Sequence, residues 1–240
     1  MVDFTHLNPQ QQAAVFQTEG PVLVLAGAGS GKTRVITYRI AYLVNQGASP
    51  ADILALSFTN KAATEMKERV LELVGPPAKK AHLSTFHALG LQFLRQEFIH
   101  AGLSKNFSIL DEGDQFAAVA ELMKEIGFSN EQYDPKVVHA VLSHYKSRLE
   151  RPDPRRGGID GVVARLSPLY GRRLRALNAV DFDDLIALPV WLLETNEEIA
   201  YRWSGKFRYI MVDEYQDTNL AQLRLLKGLA KRHGNVCAVG

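Results

Sequence analysis

The chain has 240 residues, of which 46% are hydrophobic and 22% charged. Those proportions fit a folded globular protein of one or two domains and exclude a wholly disordered, collagen-like or fibrous chain. The single cysteine, Cys237, excludes an internal disulfide and a multi-cysteine zinc site, and a net charge of only +2 does not by itself announce a nucleic-acid partner.

The amino terminus has no basic stretch followed by an apolar core, so no secretory signal is read there. Leu7-Asn8-Pro9-Gln10-Gln11-Gln12 has the form of a helix start, with Asn8 as cap, Pro9 in the first turn and Gln11 closing a capping-box-like pair. The apolar run Pro21–Ala28 is far short of the roughly 20 residues that cross a bilayer. The chain therefore reads as soluble and cytoplasmic, with no membrane partner. Near-continuous apolar runs predict strands at Val22–Ala26, Ile53–Phe58, His82–Thr85, Tyr209–Asp213 and Val236–Val239, the pattern of strands covered on both faces. A helix is expected from about Lys32 to Asn45, with Val35, Ile36, Ile40, Leu43 and Val44 as its apolar face, and another over Asn60–Val74, stopped by Gly75-Pro76-Pro77.

From about Leu89 to Val180 strands are not expected, and helical periodicity over Gln115–Ile126 and Lys136–Leu149 dominates. The organisation this implies is a split α/β domain, residues 1–88 and 181–240, interrupted by an all-α domain over residues 89–180. Lys146 to Arg175 carries a net +6, and Ala176–Ile199 holds acids but no lysine or arginine. That asymmetry is either a pair of solvated faces of opposite sign or a phosphate-contacting ridge. The run Val236–Gly240 breaks off on a core strand, which suggests a truncated chain.

Ala26-Gly27-Ala28-Gly29-Ser30-Gly31-Lys32-Thr33 follows a predicted strand and opens a predicted helix, the setting a phosphate-binding loop requires. Glycines let successive amides turn inward around an anion, and the helix amino terminus adds partial positive charge. Lys32 then reaches the β- and γ-phosphates and Thr33 ligates Mg²⁺, so Ala28, Gly29, Ser30 and Gly31 form the cradle. The first glycine of the usual G-x-x-x-x-G-K-[ST] pattern is replaced by Ala26. A second apolar strand ends in Asp213-Glu214, which supplies a Mg²⁺ ligand in Asp213 and a group to orient or deprotonate water in Glu214. The residues spell a Mg²⁺-dependent nucleoside triphosphatase.

Around these motifs stand Asp213-Glu214-Tyr215-Gln216-Asp217-Thr218, the Leu7–Gln12 segment, Phe58-Thr59-Asn60-Lys61-Ala62-Ala63 and Thr85-Phe86-His87. Together, in this order, they resemble superfamily-one DNA helicases of the Rep/UvrD/PcrA type over essentially the whole chain, leaning to the Rep type. The resemblance implies a RecA-like sheet with an inserted helical subdomain, both crossed by single-stranded DNA. It implies ATP as the nucleotide, Gln11 reading the adenine edge, Arg34 stacking on the base, and Gln216 sensing the γ-phosphate. It implies DNA contacts by Phe58, Asn60, Lys61, Thr85 and His87; a base stacked on Phe58 would gain about 1–3 kcal/mol. Gln11 as adenine reader and Gln11 as capping residue remain compatible. Without the resemblance Phe58 reads as core, His87 as a polar residue at a helix start, and Asp181-Phe182-Asp183-Asp184 as a helix cap.

On the same resemblance the function expected is the ATPase and single-stranded-DNA-binding portion of a 3′→5′ helicase or translocase of replication or repair. Duplex/single-strand junctions, self-association or repair partner proteins are the expected company, and Tyr145 and Lys146 are possible contributors to a DNA-facing ridge. The family's later motifs, with their arginine fingers, are absent, so these residues alone are expected to hydrolyse ATP slowly. The ATPase segment of a helicase–nuclease and a non-hydrolysing binding module are the alternatives.

Overall fold

The computed structural model describes residues 2–27, 29, 31–129 and 131–240; Ala28 and Ser30, expected in the phosphate cradle, lie outside them. In chain order the elements are α1 (Pro9–Phe16), β1 (Val22–Val24), α2 (Lys32–Asn45), β2 (Ile53–Ser57), α3 (Asn60–Val74), β3 (His82–Thr85) and α4 (Phe86–Glu97). There follow β4 (Ser108–Ile109), α5 (Glu112–Glu125), α6 (Pro135–Ser147), α7 (Gly158–Ala176) and β5 (Ala179–Val180). The chain continues through α8 (Asp184–Thr195), α9 (Glu197–Lys206), β6 (Tyr209–Val212), α10 (Leu220–Ala230) and β7 (Val236–Val239).

The chain divides into two compact units. The first comprises residues 1–89, 193–218 and 226–240. Its five strands are all parallel, in the order β1-β7-β6-β2-β3. Helices of this unit cover the sheet, as βαβ crossovers require. One face packs Ile36, Ile40 and Leu43 of α2 and Met66 and Val70 of α3 against Ile53, Ala55, Leu83, Met211, Cys237 and Val239. The mixed α/β class with a parallel sheet flanked by helices is the one the apolar runs predict. Thr59 caps α3 by accepting from the Ala62 amide, and Gly75, at φ 78°, stops it.

The second unit comprises residues 90–192 and 219–225. Its core is Val119, Leu122 and Met123 of α5, Val138 and Leu142 of α6, and Val162, Val163, Leu166, Tyr170 and Leu174 of α7. Two features differ from the sequence expectation. Strands do occur here: β4 and β5 pair in parallel, Ser108 opposite Ala179 and Ile109 opposite Val180. And Asp181–Leu192 groups with this unit, whereas the sequence places a boundary at residue 180. The cause is close packing of α8 on α4: a Cβ at Gly90 would lie 1.8 Å from the Leu185 carbonyl oxygen. Asp181 is also buried in an ion pair with Lys146 of α6.

Candidate nucleotide-binding site

β1 leads into the glycine-rich loop, and the backbone beyond it stays tied to β7: the Ala26 amide donates to Gly240 O at 2.8 Å and the Gly240 amide to Val24 O at 2.9 Å. Gly31 sits at φ 87°, ψ 32°, a left-handed conformation natural to glycine, and opens α2 without any side-chain cap. The first amides of α2 are therefore left for an anion at the positive end of the helix. Gly29, at φ 75°, has the same backbone requirement.

The second strand of the site, β6, runs beside β2, and the Asp213 amide continues the ladder by donating to Leu56 O at 2.9 Å. This places Asp213 and Glu214 at the carboxyl edge of the sheet, where β1 also delivers the loop. The Thr33 hydroxyl donates to Asp213 Oδ2 at 3.1 Å, across 180 residues of sequence. The Lys32 ammonium donates to Glu214 Oε2 at 2.7 Å. The Gln216 side-chain amide donates to the same oxygen at 2.6 Å, and the Glu214 amide donates to Asp213 Oδ1 at 3.1 Å.

These contacts set the electrostatics. Burial pushes the Asp213 carboxyl above the ordinary carboxylate range, against the opposing pull of the Thr33 hydroxyl. Lys32, and then Gln216, hold Glu214 below that range. Glu214 itself takes φ 52°, ψ 47°, a left-handed conformation that costs a non-glycine residue about 1–3 kcal/mol and recurs at functional sites. The turn aims its carboxylate back at Lys32. The ammonium and the carboxylate thus neutralise one another at the start of α2. Thr33 Oγ1 and Asp213 Oδ2 are hard oxygen donors at hydrogen-bond separation, the chemistry that suits Mg²⁺.

Gln11 meets the same loop from α1. Its backbone amide donates to Asn8 Oδ1 at 2.8 Å and its Oε1 accepts from the Asn8 amide at 3.0 Å, so the capping box is present in full. Its Nε2 reaches the phosphate loop: a Cβ at Gly31 would lie 3.1 Å from it. Arg34 is exposed, with its guanidinium 5.8 Å from the Tyr38 ring centroid.

The residues expected to touch DNA follow β2 and β3, at the same carboxyl edge. Phe58, half-buried, lies with its ring centroid 5.4 Å from that of Phe86. Asn60 and Lys61 are exposed in the first turn of α3, and His87 is half-buried in the first turn of α4. Thr85 is 7% exposed, and its hydroxyl accepts from the Ala88 amide at 3.2 Å, a helix cap.

Several side chains of the basic stretch are paired with acids. Lys146 is held by Asp181 and Asp184, each at 2.6 Å, and the Tyr145 hydroxyl donates to Asp160 at 2.9 Å. Arg148, Arg155, Arg156 and Arg173 pair with Glu150, Asp153, Asp160 and Glu121. Asp181, Asp184 and Glu121 come from outside the stretch and offset Lys146 and Arg173, whereas Glu150, Asp153 and Asp160 are already counted in its net +6, so the stretch stays basic. Asp181 also caps α8, accepting from the Asp184 amide at 2.8 Å, as the acid run predicts. Arg39, which is 2% exposed, belongs to no sequence motif. Its spacing carries the signal, since it lies three residues from Ile36 and four from Leu43 on the apolar face of α2.

The UvrD/REP helicase N-terminal domain matches residues 7–240. The chain belongs to the UvrD/REP helicase family. Among its relatives, the ATP-dependent DNA helicase PcrA of Bacillus subtilis is 44% identical over 239 residues, which is 98% of this chain and 32% of the relative. PcrA of Staphylococcus aureus is 43% identical over 240 residues, 98% of this chain and 33% of the relative. Both carry the PcrA name, where the motifs alone lean to Rep. The chain thus spans about a third of the length of these family members.

Proposed function

We propose that these residues form the ATP-binding and single-stranded-DNA-contacting part of an ATP-driven 3′→5′ DNA helicase or translocase serving replication or repair in the cytoplasm. The observation that carries this reading is the convergence of Lys32 on Glu214 and of Thr33 on Asp213, which joins two motifs remote in sequence into one phosphate-and-metal site. Lys32 and the open amino terminus of α2 bind the triphosphate. Thr33 and Asp213 hold Mg²⁺, which supplies charge neutralisation on the phosphate oxygens when bound. Glu214, once Lys32 turns to phosphate, orients the attacking water and accepts its proton. Gln216, hydrogen-bonded to Glu214, is placed to sense the γ-phosphate, and Gln11 and Arg34 take the adenine. Phe58, Asn60, Lys61, Thr85 and His87 line the adjoining edge of the sheet, where single-stranded DNA and duplex junctions are engaged.

Arginine fingers accelerate related phosphoryl transfers by roughly 10³–10⁵, and the relatives extend well beyond the matched third, so this chain on its own hydrolyses ATP slowly and unwinds nothing. The test uses a protein containing these residues together with the rest of the helicase. Lys32→Ala abolishes its ATPase, and Glu214→Gln binds ATP but does not hydrolyse it. Normal turnover in either variant refutes the assignment.

A further inference from the structure

Arg39 sits mid-way along α2, buried, and its bonds go to main-chain carbonyls. Nη1 donates to Ala14 O at 2.5 Å and Nη2 to Thr18 O at 3.3 Å. Burial pulls its pKa down, opposed by Cys237, Tyr209 and Glu19. The acceptors explain why a cation is kept there. Ala14 belongs to the last turn of α1, where carbonyls have no partner within the helix and the dipole is negative. Arg39 therefore closes the carboxyl end of α1 from a neighbouring helix.

That bond matters because of what α1 carries at its other end. α1 has only eight residues, too few to hold its place by helix propensity alone. It is seated on α2 by Arg39, by Ala14 and Val15 against Val35, and by the ring cluster of Phe4, Phe16, Tyr38 and Tyr42. Gln11 then stands beside Gly31, while α2 itself begins with Lys32, about 10.5 Å along the helix axis from Arg39. The seating of α1 on α2 fixes where the side chain of Gln11 stands relative to the start of α2.

We infer that Arg39 is a positioning residue for base recognition: it acts through α1 to hold Gln11 at the height of the adenine edge, without touching the nucleotide. The inference rests on the reading of Gln11 as the base-contacting residue. Its consequence is a split between two probes. Contacts of the base depend on Arg39; contacts of the phosphates, made by the glycine-rich loop and the start of α2 rather than by α1, do not.

The experiment measures the affinity of the 240-residue chain for Mg·ATP and for magnesium tripolyphosphate, which has no base, in Gln11→Ala, Arg39→Met, Arg39→Lys and the Gln11→Ala/Arg39→Met double variant. Gln11→Ala and Arg39→Met each cut the preference for ATP over tripolyphosphate by about tenfold, equivalent to about 1.4 kcal/mol. Tripolyphosphate affinity is unchanged, the double variant loses little more than either single one, and Arg39→Lys keeps part of the preference. Should Arg39→Met weaken both probes equally, or leave the preference intact while Gln11→Ala removes it, Arg39 is a packing residue and the inference falls alone. A silent Gln11→Ala overturns both the inference and the reading of Gln11. If Arg39→Met fails to fold, Arg39→Lys is judged by the same criterion; failure of both to fold assigns Arg39 to stability and overturns the inference.

Discussion

The ion cluster of the helical unit makes a sharp quantitative test. Lys146 lies between Asp181, 1% exposed, and Asp184, with its own side chain 19% exposed. Burial opposes the ammonium, and Asp184 and Asp181 more than offset it, so the lysine stays charged. Lys146→Met removes the cation and leaves two carboxylates facing one another. Breaking a buried pair in this way costs about 3–5 kcal/mol. Against the roughly 5–15 kcal/mol of a whole domain, that is a large fraction. Hydrogen exchange followed by mass spectrometry reads the helical unit separately, and amides of α6 and α7 that exchange by unit-wide opening speed up by about 10² to several times 10³, at tenfold per 1.4 kcal/mol. The deficit shrinks on acidification. Burial already raises the Asp183 and Asp184 carboxyls above their ordinary values. A raised carboxylate costs stability when it is ionised, and that cost disappears as pH falls through the folded value, so the variant gains relative to the parent as pH falls from neutral toward the ordinary carboxylate range. Asp184→Asn added to Lys146→Met restores part of the loss. Exchange in α6 and α7 within about twofold of the parent, at neutral pH, would show that the cluster contributes nothing net.

Three further outcomes are expected. Gly90→Ala drives a Cβ to within 1.8 Å of the Leu185 carbonyl and cannot be absorbed by a side chain, so it destabilises the helical unit by about 3 kcal/mol; an unchanged melting temperature refutes the packing of α8 on α4. Burial, with Lys206 nearby, depresses the pKa of His82, so stability of the sheet unit falls as pH drops below about 6.5; His82→Gln flattens the melting temperature between pH 7.5 and 5.5, and an unchanged slope removes His82 as the cause. Arg155→Gln with Arg156→Gln lowers the salt dependence of single-stranded-DNA binding by about 0.7 for each phosphate that is no longer neutralised, since exposed ion pairs still yield to phosphate; an unaltered slope takes both out of the interface.

The elements that frame the candidate nucleotide site were readable because each had a local cause. Asn60–Val74 is bounded by the Thr59 cap and by Gly75-Pro76-Pro77, and the apolar runs at His82–Thr85 and Val236–Val239 are strands at those same residues. The helical unit was less legible. α7 runs through Pro168 and Gly171 and starts at Gly157-Gly158, all local signals for a break, and it persists because Val162, Val163, Leu166, Tyr170 and Leu174 are buried on one side. β4 and β5, two residues each, are too short to show alternation. Charge was only partly legible, for a different reason. A count along the chain registers Lys146 as basic surface but not the aspartates that fold onto it from 35 and more residues away. At the candidate site, the chemistry of Lys32, Thr33, Asp213 and Glu214 singles them out in the sequence and the fold brings them together, whereas the left-handed turn at Glu214 leaves no mark in composition.

The hydrogen bond from the Asp213 amide to Leu56 O, which extends the ladder between β6 and β2, has a mechanical side. Two residues beyond Leu56 the chain reaches Phe58. The carboxylates proposed to face the nucleotide and the ring proposed to meet DNA are thus joined through one hydrogen bond and two peptide units, within the parallel sheet. A shift of the turn at Glu214 that moved the Asp213 amide would therefore pull on β2, and Phe58 follows that strand directly.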